Sequence, residues 1–295
     1  LKMDWTPVYS LTGKKFKYLP SCFCYAQYPA EDELNLFSYP DSNGCAAGNS
    51  LEEAILQGFL ELVERDSVAI WWYNMLRKPG VDLGSFDDPY FTQLIDYYKS
   101  LNRSLFVLDI TSDLNIPAFA AVSHRFDDKK ENIIFGFGAH LDAKIAIERA
   151  LVEINQILPI VNVPGVERSR GIYLTKDKNF VAWLNTATMA NQPYFVPMQD
   201  IPKKTALDYP PLSEPNIYDS LIFCFDAATK QGLETLVLDL TRPDIGLPVV
   251  KVIVPGLRHF WKRLAPGRLY DVPVKMGWLK KPRREEQLNP VRLFI

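Results

Sequence analysis

The chain has 295 residues, of which 47% are hydrophobic, so it is long enough to bury a sizeable core as one large domain or two small ones. Its 33 Lys and Arg residues against 35 Asp and Glu residues leave a net charge of -2, which does not favour nucleic acid or an anionic membrane as a partner. No apolar stretch reaches ~18 residues and no signal sequence opens the chain, so we expect a cytoplasmic protein without a membrane span. The four cysteines include no paired Cys-x-x-Cys motif, which argues against a structural zinc site.

The first third of the chain predicts two strands and a long helix. The strands, joined by a turn, lie within 5–28, and Cys22 and Cys24 alternate along the second strand, where they are expected to be buried or half-buried. The helix is predicted over about 50–76. It ends before Lys78-Pro79-Gly80, a stop signal with basic residues in the last turn.

The rest of the chain alternates helical and extended patterns. Asp88-Pro89 opens an amphipathic helix. Further helices are predicted at 143–158, 178–189 and 220–231. Strands are predicted at 105–110, 117–123, 132–138, 234–240 and 248–254, with polar or proline-rich loops at 29–41 and 159–218. This alternation predicts an α/β or α+β domain with a mixed sheet and packed helices.

A glycine-rich turn leads directly into the long helix. Gly44 and Gly48 let the backbone approach a ligand closely, and the free N–H groups at the helix start favour anions. Four polar side chains of the helix lie within one quadrant, at about 0°, 40°, 80° and 20° for Glu53, Gln57, Glu61 and Glu64. The remaining positions are mostly apolar, so the acids would line an internal wall where a hard cation such as Mg2+ compensates their charge. The pattern indicates a site for phosphate and metal.

Two simpler interpretations of these acids stay open. Ser50-x-x-Glu53 is also a capping box with Ser50 as the N-cap, which alone would explain Glu53. Capping and ligand binding by Glu53 are compatible with each other. Glu61 or Glu64 could instead form a surface ion pair with Arg65 or another base, as most helical acids do.

A second glycine-flanked junction, 136–142, precedes the helix predicted next. Asp142 can cap that helix, and Arg149, Glu153 and Gln156 share one of its faces at i, i+4 and i+7. One interpretation is a helical ion pair with a solvated amide. The other places Arg149 on a phosphate and Glu153 on metal or nucleotide, and the glycine-rich segment before the helix favours it.

The residues of the first junction resemble the YcaO family, in particular its ATP-dependent cyclodehydratases, which form azolines in ribosomal peptides such as cyanobactins. The resemblance is carried by SNGCAAGNSLEEA at 42–54 and ELVERD at 61–66. It is supported by WTPVYSL at 5–11, IWWY at 70–73, RALVEINQ at 149–156, DLTRPDIGLP at 239–248 and PGLRHF at 255–260. It therefore covers nearly the whole chain and implies a YcaO-like fold.

The resemblance also implies which residues form the site. In the family, ATP and its magnesium ions lie among acids of two helices. The residues that would bind Mg2+ are Glu53, Glu61, Glu64 and Glu153. Those that would contact ATP are Asn43, Asn49, Glu53, Arg65, Arg149 and Gln156. The catalytic residues would be Arg149, which contacts phosphate, and Ile295, whose terminal carboxylate would lie near the active site.

The reaction that the resemblance implies needs no nucleophilic residue of the protein. A Cys, Ser or Thr side chain of a precursor peptide adds to the preceding carbonyl, ATP phosphorylates the resulting oxyanion, and phosphate leaves to give a thiazoline or oxazoline. Magnesium and arginine would offset charge on the phosphates. The implied cofactors are ATP and Mg2+, and the enzyme is an ATP-dependent peptide heterocyclase.

The resemblance sets expectations for the domain and its partners. Residues 1–295 would be a YcaO domain that lacks the family's first nucleotide-binding block, with the upstream leader-binding or partner domain also absent. At the tail, only Pro290 matches the Pro-x-Pro-x-Pro ending of related enzymes, since Arg292 and Phe294 take the other two positions. The expected partners are the precursor peptide, with its leader and core, and the upstream leader-binding domain. A homodimer stays open.

Two other functions stay open. The first is thioamide or amidine formation, which uses the same ATP-dependent step with sulfide or an amine as the nucleophile. The second is a catalytically silent fragment that binds a peptide or a partner protein.

Overall fold

The structure is a computed structural model that describes residues 3–25, 28, 41–162, 173–212 and 216–294. Its contacts group the chain into two units. Unit 1 comprises Leu1–Val63 and Ser213–His259, and unit 2 comprises Glu64–Leu212 and Phe260–Ile295. Most of the loop predicted at 29–41 and part of the loop predicted at 159–218 lie outside the described residues.

The strands and helices follow one another along the chain with these bounds. The strands are β1 (Trp5–Ser10), β2 (Lys15–Pro20), β3 (Cys45–Ala47), β4 (Arg103–Asp109), β5 (Ala118–Arg125), β6 (Ile134–Ala139), β7 (Leu236–Asp239) and β8 (Val249–Ile253). The helices are α1 (Ser21–Cys24), α2 (Leu51–Asn74), α3 (Pro89–Ser100), α4 (Ala143–Val161), α5 (Lys178–Thr186), α6 (Ile217–Lys230) and α7 (Arg268–Lys275).

Unit 1 is built on a five-stranded sheet in the order β2-β1-β7-β8-β3. Burial alternates along β1, so Val8 points inward and packs with Cys24, Leu236 and Leu238. The strand predicted to continue into the Cys22 region ends at Pro20, because proline supplies no N–H for the ladder and the helical turn α1 begins at the next residue. The burial predicted for the two neighbouring thiols, Cys22 and Cys24, is confirmed.

Unit 2 is built on a three-stranded sheet in the order β4-β5-β6, covered by α4. Every residue of β6 is buried. The helix starts predicted from capping residues are confirmed, since Asp88 accepts a hydrogen bond from Tyr90 N–H and Asp142 accepts one from Lys144 N–H.

The predicted fold class, with helices packed on sheet, is confirmed, but one mixed sheet does not form. The described strands instead make two separate sheets, and all their neighbouring strands are antiparallel. Short connections join β1 to β2, β4 to β5 and β5 to β6, and a short connection suits antiparallel neighbours. The pattern of the sequence also missed β3 and α7, which contains Pro273.

Aromatic side chains dominate the core of unit 2. Trp71 and Trp72, from the second half of α2, are 1% and 0% exposed. Trp71 packs edge-to-face on its neighbours, and Trp72 makes both edge-to-face and tilted contacts. The rings around them belong to Phe135, Phe137, Trp183, Tyr194 and Phe195. The second half of α2 is therefore fixed by packing.

In the part of the chain that the structure describes, no helix is both long enough and apolar enough to cross a membrane.

Candidate active site

The glycine turn of unit 1 packs tightly on the first half of α2. Gly44 has a φ of +75°, and a Cβ there would lie 2.1 Å from the Val252 carbonyl oxygen, so only glycine fits. On the helix, a Cβ at Gly58 would lie 2.6 Å from the Gly44 carbonyl oxygen. The Gly44 N–H in turn donates to Oε2 of Glu61 at 3.2 Å. The two glycines therefore bring the predicted metal ligand Glu61 directly under the turn.

At the start of α2, Ser50 caps the helix and the Glu53 carboxylate contacts the preceding loop. Ser50 Oγ accepts from the Glu53 N–H at 3.2 Å, which confirms the predicted capping role of Ser50. Oε2 of Glu53 accepts from the backbone N–H of Asn49 at 2.8 Å and from its side-chain amide at 2.9 Å. Two predicted ATP contacts, Asn49 and Glu53, thus hold each other in place.

Asn43 belongs to a polar cluster in unit 1 that the sequence patterns missed. Its side-chain amide contacts Nε2 of His259, and its backbone N–H donates to Oδ1 of Asp41 at 3.0 Å. Lys251, 3% exposed, donates from Nζ to the Asp41 carbonyl oxygen at 2.6 Å. A lysine inside the apolar strand β8 was the available signal, because a buried lysine needs a polar partner.

The glycines of the second junction do not form a phosphate-binding turn. Gly136 and Gly138 lie within β6, where a Cβ would meet α4 backbone atoms at 2.4 and 2.2 Å, respectively. Their role is close packing of helix on strand. This approach lets the Glu153 carboxylate on α4 accept a hydrogen bond from the Phe137 N–H on β6.

Burial and nearby charges tune two of the predicted site residues in unit 2. Burial raises the pKa of the Glu153 carboxyl. The hydrogen bond from the Phe137 N–H and the charge of Arg65 both lower this pKa, but burial has the larger effect. Burial lowers the pKa of the Arg149 guanidinium, although the nearby Glu64 charge opposes this effect. Acids and guanidinium groups of α2 and α4 therefore act on one another across unit 2.

The two arginines are held in different ways. Arg149 donates from Nη1 to the Ala139 carbonyl oxygen at 3.2 Å. Arg65 lies with its Cζ 3.8 Å from the ring centroid of Phe260, a cation–π contact. Phe260 ends the PGLRHF stretch, and no local pattern links it to Arg65, which precedes it by almost two hundred positions.

The tail is fixed up to Phe294. Trp72 donates from Nε1 to the Val291 carbonyl oxygen at 2.8 Å, and Asn289 N–H donates to the Tyr73 carbonyl oxygen at 2.8 Å. The Phe294 ring stacks on Phe180 with centroids 5.0 Å apart. Ile295, predicted to be catalytic, lies outside the described residues.

Each unit therefore gathers part of the predicted site. Unit 1 holds Asn43, Asn49, Glu53 and Glu61, and unit 2 holds Glu64, Arg65, Arg149 and Glu153. Gln156, predicted to contact ATP, is exposed on α4.

Among the described residues, no three His, Cys, Asp or Glu side chains form a ready-made metal site. Mg2+ is commonly held by only one or two carboxylates together with substrate phosphates, so these carboxylates suit that ion.

Comparison with known proteins identifies a family model and solved structures that are similar to this chain. Residues 1–258 match the family model described as YcaO cyclodehydratase, ATP- and Mg2+-binding. A heterocyclase solved in complex with substrate and cofactor is 54% identical, over 99% of this chain and 38% of that chain, with a TM-score of 0.91. The heterocyclase TruD is 53% identical, over 99% of this chain and 40% of that chain, with a TM-score of 0.89.

A more distant solved structure has the same fold. The YcaO protein of Methanopyrus kandleri, bound with AMPPCP and Mg2+, is 23% identical, over 86% of this chain and 64% of that chain, with a TM-score of 0.67. At this identity the likeness extends to the fold alone. This chain spans 38% and 40% of the length of the two heterocyclase chains.

Proposed function

Because the chain belongs to the YcaO family of ATP- and Mg2+-binding cyclodehydratases, we propose that it forms azolines in a ribosomal precursor peptide. The substrate residues are Cys, Ser or Thr, and the products are thiazolines or oxazolines. The observation that carries the proposal is the 54% identity, over 99% of this chain, to a heterocyclase solved with substrate and cofactor. The aligned acids and arginines described above supply suitable chemistry for such a reaction.

The proposed nucleotide contacts are shared between polar and cationic groups. Asn43, Asn49, Glu53, Arg65, Arg149 and Gln156 are assigned to ATP. Glu53, Glu61, Glu64 and Glu153 are assigned to Mg2+, since carboxylate oxygens are the ligands that this ion prefers. When bound, the ion neutralises charge on the phosphates during transfer. The raised pKa of Glu153 fits this assignment, because burial disfavours a carboxylate that lacks a compensating cation.

In the proposed reaction, the substrate thiol or hydroxyl bonds to the preceding carbonyl carbon and gives up its proton. The resulting oxyanion bonds to the γ-phosphorus of ATP, and ADP leaves. The amide nitrogen then loses its proton, a C=N bond forms, and the C–O bond breaks to release phosphate. Arg65 and Arg149 would offset the negative charge of the transferring group. A carbonyl oxygen is a poor leaving group, and its phosphorylation removes that difficulty.

The tail is assigned a part in this chemistry through Ile295, which is proposed to act at the reacting centre. Hydrogen bonds from Trp72 to the Val291 carbonyl oxygen and from Asn289 to the Trp72 carbonyl oxygen hold the segment before Phe294.

The proposed reaction also suggests the partners of the protein and its location in the cell. The partners are a precursor peptide with leader and core, and a leader-binding domain. A homodimer is compatible with this proposal. Cys22, Cys24, Cys45 and Cys224 are free thiols, which suits a reducing cytoplasm.

Mass spectrometry of a precursor peptide tests the proposed function. The protein that carries this chain is incubated with ATP, Mg2+ and a peptide that has a leader and a Cys-containing core. The expected result is loss of the mass of one water per ring, with one ATP consumed for each ring. Replacement of oxygen by sulfur would instead indicate thioamide formation. No change in the peptide, together with no binding of ATP and Mg2+ in calorimetry, would contradict an enzymatic function.

A further inference from the structure

The guanidinium carbon of Arg65 lies over a buried aromatic ring. Its Cζ is 3.8 Å from the ring centroid of Phe260, which is 3% exposed. A guanidinium over a ring face is attracted by the quadrupole of the ring, and the attraction grows when water is excluded. The contact therefore restricts where the guanidinium of Arg65 can lie.

The ring itself has a fixed position. The hydroxyl of Tyr73 donates to the Phe260 carbonyl oxygen at 2.7 Å. Burial raises the pKa of Tyr73 to about 12, so this hydroxyl keeps its proton, and remains a donor, at physiological pH. Tyr73 is itself 1% exposed and lies on α2, the helix that carries Arg65. The ring is thus tied to the same helix as the side chain that it supports.

A cation–π contact is not a hydrogen bond, so the ring does not replace the polar partners of the guanidinium. The five N–H donors of arginine suit the oxygens of a phosphate. Arg65 is therefore positioned by the aromatic ring before any ligand binds.

We propose that Phe260 is a positioning residue for Arg65 in nucleotide binding. The inference rests on the proposed function, which assigns Arg65 to ATP. A guanidinium already held in its binding orientation loses less conformational entropy when it meets a phosphate, and it needs less reorganisation during phosphoryl transfer. Phe260 acts through Arg65 and does not itself touch the nucleotide.

Substitution of the ring tests this role. Phe260→Leu keeps an apolar side chain but removes the aromatic face, whereas Phe260→Tyr keeps the face. Phe91→Leu is the matched control, because Phe91 is also buried in unit 2 but lies on α3, which carries none of the assigned site residues. The readouts are the Kd for AMPPCP with Mg2+, the KM for ATP, kcat and the melting temperature.

We expect Phe260→Leu to weaken AMPPCP binding about tenfold, the size of a partly desolvated cation–π contact. Its melting temperature should fall no further than that of Phe91→Leu, which should bind AMPPCP as the wild type does. Phe260→Tyr should bind within about twofold of the wild type. Equal binding by Phe260→Leu and the wild type would overturn the inference.

A double-mutant cycle separates this inference from the proposed function. In a background of Arg65→Gln, Phe260→Leu should have almost no further effect on AMPPCP binding, because the cation that it supports is gone. An undiminished effect in that background would overturn the positioning role. Wild-type binding by Arg65→Gln alone would instead overturn the assignment of Arg65 to the nucleotide, which belongs to the proposed function.

Discussion

The backbone N–H of Phe137 donates a hydrogen bond to the carboxylate of Glu153. The bond joins β6 to α4, and it depends on the absence of side chains at Gly136 and Gly138, which lets the helix backbone lie against the strand. A proposed metal ligand is therefore positioned by the packing of two glycines rather than by a loop.

Gly138→Ala should disturb this arrangement. The added Cβ would meet the Ala146 carbonyl oxygen at 2.2 Å and the Arg149 Cβ at 2.8 Å, so α4 must move away from β6. We expect a loss of about 1–3 kcal/mol in the free energy of unfolding and a higher KM for ATP. Gly84→Ala is the control, since the nearest atom to its Cβ would be 3.4 Å away. Equal urea midpoints for the two variants would contradict the packing role.

Glu61→Gln should abolish ATP turnover and leave the protein folded, and Glu64→Gln should do the same. Glutamine keeps an oxygen that can accept from the Gly44 N–H, as Glu61 does, but it lacks the charge that a magnesium ion requires. We expect ATP turnover at least ~100-fold below the wild type, with an unchanged circular dichroism spectrum. Glu52→Gln, which changes an exposed acid of the same helix, should retain turnover. Unchanged turnover in the Glu61 and Glu64 variants would remove both residues from the list of metal ligands.

The part of the site that depends on local patterns was predictable from the sequence. The spacing of acids along one helix, the cap at Ser50 and the caps at Asp88 and Asp142 each involve residues within a few positions of one another. Local hydrogen bonds and helical periodicity decide such features. The bounds of α2 and α4 therefore agree with the predicted helices to within a few residues.

The rest of the site depends on contacts between distant parts of the chain. Nothing near Arg65 in the sequence points to the ring of Phe260, and nothing near Glu153 points to the N–H of Phe137. The division of the strands into two antiparallel sheets was also not predictable from local patterns, because strand pairing depends on contacts between residues far apart in the sequence. The close packing of the glycines at 136–138 on α4 is likewise seen only in the distances between strand and helix.

Lys78 provides a pH-dependent test of the core of unit 2. Burial lowers its pKa from 10.5 to about 8, and its Nζ lies 3.3 Å from the ring centroid of Trp278. The folded chain therefore binds the Lys78 proton less readily than the unfolded chain does. Burial of the charged lysine lowers the free energy of unfolding at pH 7, and this loss is recovered as the pH rises from about 8 to 10.5.

Lys78→Met should accordingly raise the free energy of unfolding at pH 7 by about 2–3 kcal/mol. Urea denaturation of the variant and the wild type at pH 7 and pH 10 measures the effect. The advantage of the variant should shrink at pH 10, where the wild-type lysine is neutral when folded. An advantage of the same size at both pH values would contradict the lowered pKa.

Arg268 holds two buried acids of unit 2. Its Nη2 lies 2.6 Å from Oδ2 of Asp66 and 2.6 Å from Oδ1 of Asp113. Arg268→Met should lower the free energy of unfolding by about 3–5 kcal/mol, because it leaves the carboxylates buried without this cation. Arg242→Met, which removes an exposed ion pair, should cost less than about 1 kcal/mol. Similar melting temperatures for these two variants would show that the contacts of Arg268 with Asp66 and Asp113 do not stabilise the fold.

The most direct measurement follows the oxygen atom that leaves the peptide. A precursor peptide labelled with ¹⁸O at the amide carbonyl before the target residue is incubated with the enzyme, ATP and Mg2+. If ATP phosphorylates the amide oxygen, the label appears in inorganic phosphate, in one-to-one proportion with the azoline formed. Azoline formation with unlabelled phosphate, and with the label released into water, would contradict the account.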